Sequence, residues 1–320
     1  MSAIFDDFAD LSDLELALGD SDPGMRRVAV MQLADSAEPE AIPLLAQALD
    51  DSDAGVRLQA ATALAEFDGP DTAAALARAL GDCDPEVAAA AAQSLTELKD
   101  PAAGDPLLPY LSNPVPFQRA AALRGICELR RPEALAPATA ALADADANVR
   151  IEAVSVIGWL KDETGLEPLI KASQDPETEV RLRAVGAMGY SGQPAAARAL
   201  VDALSDPDWR VREMAAETLT KIPDATTPDH LMAALDDPAW QVRLKAVRGL
   251  GRLATRAAVP LIGKLMQHPV SNLRKECAAA LGEIADPEAA PFLTPFVDDA
   301  DPDIRKNVRW ALKRMEAAAI

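Results

Sequence analysis

Aromatic residues, histidine and cysteine are scarce in this chain of 320 residues, which has four Trp, two Tyr, six Phe, two His and three Cys. So few aromatic side chains suit a core of Ala, Leu and Val between closely spaced helices. Cys83, Cys127 and Cys277 lie far apart and lack CxxC spacing. This distribution predicts a reducing compartment, taken to be the cytoplasm, and neither an Fe–S nor a zinc site.

Three further absences narrow the class of protein. No apolar run approaches the length of a membrane-spanning helix. The first 22 residues contain seven acids and no basic residue, which is unlike a signal peptide. No segment alternates apolar and polar residues with a period of two, so no β-strand is predicted.

A period of 31 residues runs through the chain without insertion or deletion. Steps of 31 from Met25 to Ile304 give ten residues, of which nine are apolar, and an arginine follows in every repeat but the third. The apolar column is Met25, Val56, Val87, Gln118, Val149, Val180, Val211, Val242, Leu273 and Ile304. A fixed period of this length predicts a solenoid, in which each repeat buries its apolar face by stacking on its neighbours.

Each repeat predicts two helices, A and B. A small residue and a large residue follow the apolar column at four and eight positions, as at Ala29 and Leu33, and these spacings mark one face of helix A. A second apolar set with a spacing of four, such as Leu45 and Leu49, marks helix B. The N-cap candidates of helix A are Asp22, Asp53, Asp84, Asp146, Asp208 and Asp301. Small residues at Gly158, Gly189, Gly251 and Gly282 predict where helix A ends.

Two successive repeats carry a resemblance to a known family. The segments DPDWRVREMAAETLTKIPDATTPDHLMAALDD and DPAWQVRLKAVRGLGRLATRAAVPLIGKLM resemble HEAT repeats of the short type found in phycobilisome (bilin) lyase subunits. The resemblance covers Asp10 to Met315 and implies an armadillo-like helical fold. It also implies that B helices line a concave face and that an aspartate and the helix A arginine form a ladder between repeats. The matching column is Asp20, Asp51, Asp82, Asn113, Asp144, Asp175, Asp206, Asp237, His268 and Asp299.

The predicted fold is therefore all-α: a right-handed α-solenoid of about ten stacked helix pairs. We expect a single domain over residues 1–320, which opens on a B helix at 11–19 and repeats from 20 to 316. One stretch departs from the pattern. The third A helix is almost pure alanine and lacks the ladder arginine, and five prolines follow it between Pro101 and Pro116. This stretch predicts a bend at 100–118.

The candidate binding residues lie where the repeats differ from one another. Residues 1–104 carry 21 acids and five basic residues, whereas 240–275 carry eight Lys or Arg and no acid. Two tryptophans occupy the same position in adjacent repeats. Together these features predict a site for an acidic protein partner at Trp209, Trp240, Lys245, Arg248, Arg252 and Arg256. The alternative is the concave B-helix face, at Leu108, Ile170, Val201 and Met232.

The sequence predicts a non-enzymatic protein-interaction scaffold or adaptor. The two histidines, His230 and His268, lie in different repeats, and neither precedes a glutamate as in the metal sites of HEAT-repeat hydroxylases. We therefore predict no catalytic residue, no metal and no cofactor. A net charge of −20 opposes nucleic-acid binding. Two alternatives stay open: an assembly or maturation chaperone for a cofactor-containing client enzyme, and a bilin lyase-like subunit acting on a tetrapyrrole protein. The expected state is a monomer or a hetero-complex.

Overall fold

The computed structural model describes residues 10–222 and 224–318, and in that part of the chain all regular secondary structure is helical. The chain divides into two compact units, Met1–Gly165 and Leu166–Ile320. In each of them, described helices alternate between the A and B types of the 31-residue pattern. The predicted all-α solenoid is confirmed, whereas the single domain over 1–320 stays a prediction.

The first compact unit contains B helices with odd numbers and A helices with even numbers. In chain order they are α1 (Leu11–Ala17), α2 (Pro23–Ser36), α3 (Ala41–Ala48), α4 (Ala54–Ala63), α5 (Pro70–Ala79), α6 (Pro85–Ser94), α7 (Gly104–Leu107), α8 (Pro116–Ile126), α9 (Leu135–Ala141) and α10 (Ala147–Leu160). Short 3₁₀ segments lie at Leu64–Glu66, Leu95–Glu97, Pro101–Ala103, Leu108–Ser112, Pro132–Ala134 and Glu163–Gly165.

The second compact unit continues the same alternation. Its helices are α11 (Leu166–Ala172), α12 (Thr178–Ala187), α13 (Pro194–Ala203), α14 (Trp209–Leu219), α15 (Thr227–Ala234), α16 (Trp240–Arg252), α17 (Val259–Leu265), α18 (Ser271–Ile284), α19 (Ala290–Leu293) and α20 (Pro302–Ala318). Its 3₁₀ segments are Met188–Tyr190, Arg256–Ala258, Pro287–Ala289 and Thr294–Phe296.

The core of each unit forms because successive A helices pack side by side and each contacts its own B helix. In the first unit α2 packs on α4 and α8 on α10, and in the second α14, α16, α18 and α20 follow one another in the same way. Val56 and Val242 of the apolar column are fully buried. Met25 is 51% exposed, because α2 is the first A helix of the described residues and none of the described A helices precedes it to cover that side.

The helix starts follow the sequence prediction, and some of the helix ends do not. The six predicted aspartates accept backbone N–H groups of the first turn, as Asp22 does from Gly24 at 2.8 Å. In contrast, α10, α16 and α18 continue beyond Gly158, Gly251 and Gly282. Gly282 serves packing instead, because a Cβ there would collide with the ring of Trp310. The first helix also ends earlier than predicted, at Ala17.

The proline-rich repeat has an interrupted B helix. Helix α7 spans only Gly104–Leu107, and the chain continues as a 3₁₀ segment over Leu108–Ser112. Pro109 lies at the start of that segment, where it has no amide proton to donate to a continued α-helix. The bend at 100–118 stays a prediction.

Candidate protein-interaction surfaces

An ionic ladder joins successive repeats within each compact unit. A rung of this ladder is the pair formed by the helix A arginine and the acid 25 positions later. In the first rung, Arg26 donates from Nε and Nη2 to the carboxylate of Asp51, both at 2.7 Å. Its Nη1 donates at 2.8 Å to the carbonyl of Asp20, six positions earlier. One arginine therefore links the turn before its own helix with the turn of the next repeat.

Four more rungs have the same geometry, with Nε to Oδ2 distances of 2.7 or 2.8 Å: Arg57–Asp82, Arg119–Asp144, Arg181–Asp206 and Arg212–Asp237. The hydrogen bond from Arg26 holds the pKa of Asp51 below its ordinary value, and Arg57 has the same effect on Asp82. Burial acts to raise the pKa of Asp237, but hydrogen bonds from Arg212 and the Ala239 amide outweigh it, and that pKa is lowered. These arginine–aspartate hydrogen bonds join parts of the same chain, so both side chains of each pair serve the fold.

Two rungs lack the acid. Ala88 replaces the arginine of the third repeat, and the residue 25 positions later is Asn113, so both charges are absent from the same rung. Asn113 still caps its turn by accepting from the Val115 amide at 2.9 Å. In the other rung, Arg243 is retained but His268 stands where the acid is expected.

Trp209 and Trp240 begin two helices that pack together, α14 and α16. Trp209 is 38% exposed, whereas Trp240 is half-buried against the core of the second unit. The structure thus places both residues in equivalent positions, as predicted from the sequence, but Trp209 is the more exposed of the two.

The four predicted cations differ in their environments. Lys245 on α16 pairs with Glu217 on α14, and Arg248 donates two hydrogen bonds of 2.8 Å to Glu276 on α18. These two side chains tie neighbouring A helices together. Arg252 and Arg256 are exposed, and the nearest described acid to Arg256 is Asp286, at 3.9 Å.

The acid-free segment 240–275 is therefore mostly neutralised by its neighbours. Besides Glu217, Glu276 and Asp286, its cations meet acids of the last repeat: Arg274 lies 3.7 Å from Asp299, and Lys275 contacts Asp301 and Asp303 at 3.3 and 3.1 Å. The sequence signal was present, because Glu217 to Lys245 and Arg248 to Glu276 are both separations of 28, three less than the period. That spacing places the two residues on facing sides of adjacent A helices.

The alternative face contains a groove that the sequence did not reveal. Ile170, Val201 and Met232 lie half-buried on α11, α13 and α15 of the second unit, and Leu108 lies half-buried in the first unit. A groove of about 640 Å³ runs between α11 and α13 and is lined by Ile170 together with polar residues: Glu167, Ser173, Gln174, Arg198, Asp202 and Ser205. Met232 packs against the core of its unit, so its apolar character serves the fold.

The cysteines and histidines form no cluster. Cys277 and Cys127 are buried and Cys83 is exposed. Burial raises the pKa of the Cys277 thiol well above its ordinary value. Within residues 10–222 and 224–318, no group of three His, Cys, Asp or Glu is arranged to hold a metal ion. The same residues contain no helix with the length and hydropathy needed to cross a bilayer.

A family model described as HEAT repeats matches this chain over residues 11–96, 50–121, 104–176, 166–240 and 228–313. The comparison with curated proteins gave no match. Among solved structures, the chain is similar to an engineered protein, with 22% identity, a TM-score of 0.53 and coverage of 96% of this chain and 99% of the other. It is also similar to YibA of Escherichia coli, with 20% identity, a TM-score of 0.54 and coverage of 89% and 95%.

The fold is similar to Kap95p as well. A structure of Kap95p binding with RanGDP matches with 14% identity, a TM-score of 0.66 and coverage of 95% of this chain and 49% of that one. A Kap95:Nup1 complex matches with 13% identity, a TM-score of 0.65 and coverage of 97% and 50%. The chain thus spans about half the length of Kap95p. These likenesses concern the fold.

Proposed function

Because the chain belongs to the HEAT-repeat family, we propose that it is a non-enzymatic scaffold that binds another protein at the edge formed by the first turns of α14 and α16. The observation that carries this proposal is the exposure of Trp209, a large ring left 38% accessible on a well-packed helix. Tryptophan is usually well buried and is enriched among the residues that dominate protein interfaces. Kap95p, which shares the fold, is named with the protein partners RanGDP and Nup1.

Trp209 differs from the other exposed tryptophans. The Arg130 guanidinium lies 5.3 Å from the ring centre of Trp159, and Arg314 lies at the same distance from the ring of Trp310. In the part of the chain that the structure describes, the ring of Trp209 has no such cation above it. An open aromatic face gives a partner much contact area at a small cost in side-chain entropy.

The exposed cations of the same region suit an acidic partner. Arg252 and Arg256 are exposed, whereas Lys245 and Arg248 already serve the packing of α14, α16 and α18. We therefore assign steering to Arg252 and Arg256 and a supporting role to Lys245 and Arg248. Exposed charges of this kind raise the association rate more than they slow dissociation.

The B-helix face is a second candidate surface, supported by the groove between α11 and α13. Arg198 projects there on a helix whose neighbour carries Glu167, and both line the groove with Ile170. A peptide strand with mixed charge suits such a lining. This surface and the α14–α16 edge make different predictions for the same experiment.

Capture of partners from the native cell tests the proposal. The tagged chain is compared with a Trp209→Ala, Trp240→Ala double variant, and bound proteins are identified and quantified by mass spectrometry. Trp159→Ala is the matched control, because Trp159 has a similar exposure of 41%. We expect one stoichiometric protein that the double variant loses and the control keeps. Loss of the captured protein in Arg198→Glu alone would assign the binding site to the groove between α11 and α13.

The same capture separates the remaining functional alternatives. A metalloprotein or chromoprotein recovered without its cofactor would indicate a maturation chaperone for a client enzyme. Tetrapyrrole recovered with the chain would indicate a bilin lyase-like subunit. The cytoplasmic location, the monomeric or hetero-complex state and the likeness to the short bilin-lyase repeat stay predictions.

A further inference from the structure

The rung formed by Arg243 and His268 holds a cation without its acid. Arg243 donates from Nε to the Asp237 carbonyl at 2.5 Å and from Nη2 to the Pro238 carbonyl at 3.4 Å. It forms no ion pair with any acid in the described residues. The same arginine position in the preceding repeat, Arg212, donates two hydrogen bonds to a carboxylate at 2.7 and 3.0 Å. The guanidinium of Arg243 therefore has donor capacity that the fold does not use.

His268 keeps the capping role of the column aspartates but does not supply their carboxylate. Its Nδ1 accepts from the Val270 amide at 3.1 Å, as the column aspartates accept from the amide two residues later. A ring nitrogen that accepts in this way leaves Nε2 as the N–H donor of the neutral imidazole. The rung therefore presents a donor from His268 where the intact rungs present a carboxylate.

Arg274, the ladder arginine of the next repeat, also has hydrogen-bond donor capacity that the fold does not use. Arg274 lies 3.7 Å from Asp299, which is longer than in the intact rungs. Its Nε is buried and, among the described residues, has no hydrogen-bond partner. Burial and the charges of Arg243 and Arg274 lower the pKa of His268, so at neutral pH two guanidinium groups and a neutral imidazole share this turn.

The third repeat shows that a rung can lose its acid without leaving a cation behind. There, Ala88 and Asn113 remove both charges together. In the Arg243 rung only the acid is absent, although an arginine stays charged at any physiological pH. Removing one partner of a partly buried ion pair is costly unless another anion or solvent satisfies the group that remains.

We propose that Arg243 and His268 form a docking site for a carboxylate side chain of an acidic protein partner, which takes the place that aspartate holds in the intact rungs. The site lies beside the proposed binding edge, because Trp240 precedes Arg243 by three residues on α16, a spacing that puts both side chains on one side of the helix. This inference rests on the proposed function and specifies the chemistry of the contact. A bidentate carboxylate fits the guanidinium fork better than a single-point anion does.

Fluorescence anisotropy with fluorescein-labelled hexaglutamate and the full chain at low salt tests the site. We expect the wild type to bind the peptide and His268→Asp to weaken binding at least about tenfold, because the new carboxylate completes the rung from within. His268→Asn is the matched control. It keeps the capping acceptor without charge, as Asn113 does, and should change the dissociation constant by less than about twofold.

Three results would overturn the site: no binding of hexaglutamate by the wild type, equal binding by His268→Asp, or a matching loss in His268→Asn. Arg305→Gln controls for the loss of one unit of net charge that His268→Asp also causes, since in the described part of the chain Arg305 likewise donates only to carbonyls, those of Asp299 and Ala300. Stabilisation of the wild type by inorganic phosphate without any peptide binding would assign the site to phosphate and would also overturn the proposal.

Capture of the native partner distinguishes failure of the carboxylate site from failure of the proposed binding edge. If the Trp209→Ala, Trp240→Ala variant loses the partner and His268→Asp keeps it, the scaffold function stands and the carboxylate site falls. If His268→Asp loses the partner while the Trp209→Ala, Trp240→Ala variant keeps it, the carboxylate site stands and the proposed binding edge falls.

Discussion

Arg181 and Asp206, 25 residues apart, share two hydrogen bonds of 2.7 and 3.1 Å. Their side chains are only 12% and 7% exposed, and Arg181 Nη1 also donates to the Asp175 carbonyl at 3.0 Å. One side chain thus holds together two successive turns between repeats of the second compact unit. Because each contact is partly shielded from water, this rung should contribute more to stability than an ion pair on the open surface.

Replacing Arg181 with Ala should lower the free energy of unfolding by about 3 kcal/mol, because the Asp206 carboxylate is left partly buried and unpaired. Urea denaturation followed by circular dichroism measures the change. Arg183→Ala is the matched control on the same helix, since its pair with Glu179 is exposed and should be worth at most about 0.5 kcal/mol. Equal losses in the two variants would contradict a structural role for the ladder.

The ladder also predicts how stability depends on pH. Arginine contacts hold the pKa of Asp51 and Asp82 below the ordinary value in the folded chain. A carboxyl with a lowered folded pKa contributes its full stabilisation above the unfolded pKa, about 3.9, and loses it as the pH falls towards the folded value. We therefore expect the melting temperature to fall steeply below about pH 4. Arg57→Gln should reduce that slope, and an unchanged slope would count against the ladder as its source.

The missing rung of the third repeat can be rebuilt. Asn113→Asp alone should destabilise the chain, because the new carboxylate has no arginine 25 residues earlier. Ala88→Arg alone should have a small effect, and the two changes together should exceed the sum of the single effects by about 1 to 2 kcal/mol. A double-mutant cycle measures this coupling. A coupling near zero would mean that the alanine-rich helix α6 does not place residue 88 as the other A helices place their arginines.

Much of the fold could be read from the sequence because the repeat imposes the same physical requirements ten times. The capping role of Asp53 and the burial of Val56 follow from their columns. The binding surface could not be read in the same way, because the partners of its charges lie in other repeats. Arg248 looks like a free cation until α18 brings Glu276 to 2.8 Å. The groove beside Ile170 depends on the distance between helices α11 and α13. The spacing of residues along the sequence does not reveal that distance.

Left-handed residues end several A helices, and they offer a route to higher stability. Ala37, Arg130, Lys161, Ala254 and Ala285 have φ between 49° and 54°. Glycine adopts this conformation without the steric cost that a Cβ brings. Ala285→Gly should therefore stabilise the chain by about 1 kcal/mol, measured by thermal unfolding. Ala279→Gly, inside α18, is the control and should destabilise it by a similar amount.

The cations of the proposed binding edge should divide into two classes by their effect on stability and on association. Arg248→Glu places a carboxylate opposite Glu276, so it should lower the melting temperature whatever it does to binding. Arg252→Glu together with Arg256→Glu changes exposed positions and should leave the melting temperature unchanged.

The Arg252→Glu, Arg256→Glu double variant should slow association with the captured acidic partner about tenfold at low salt, with little effect on dissociation. Biolayer interferometry at two salt concentrations measures both rates, and the difference from the wild type should shrink as salt screens the charges. Met232→Glu is the contrasting change on the B-helix face. If it abolished capture while Arg252→Glu with Arg256→Glu bound at the wild-type rate, the partner would lie on the B-helix face rather than at the edge marked by Trp209.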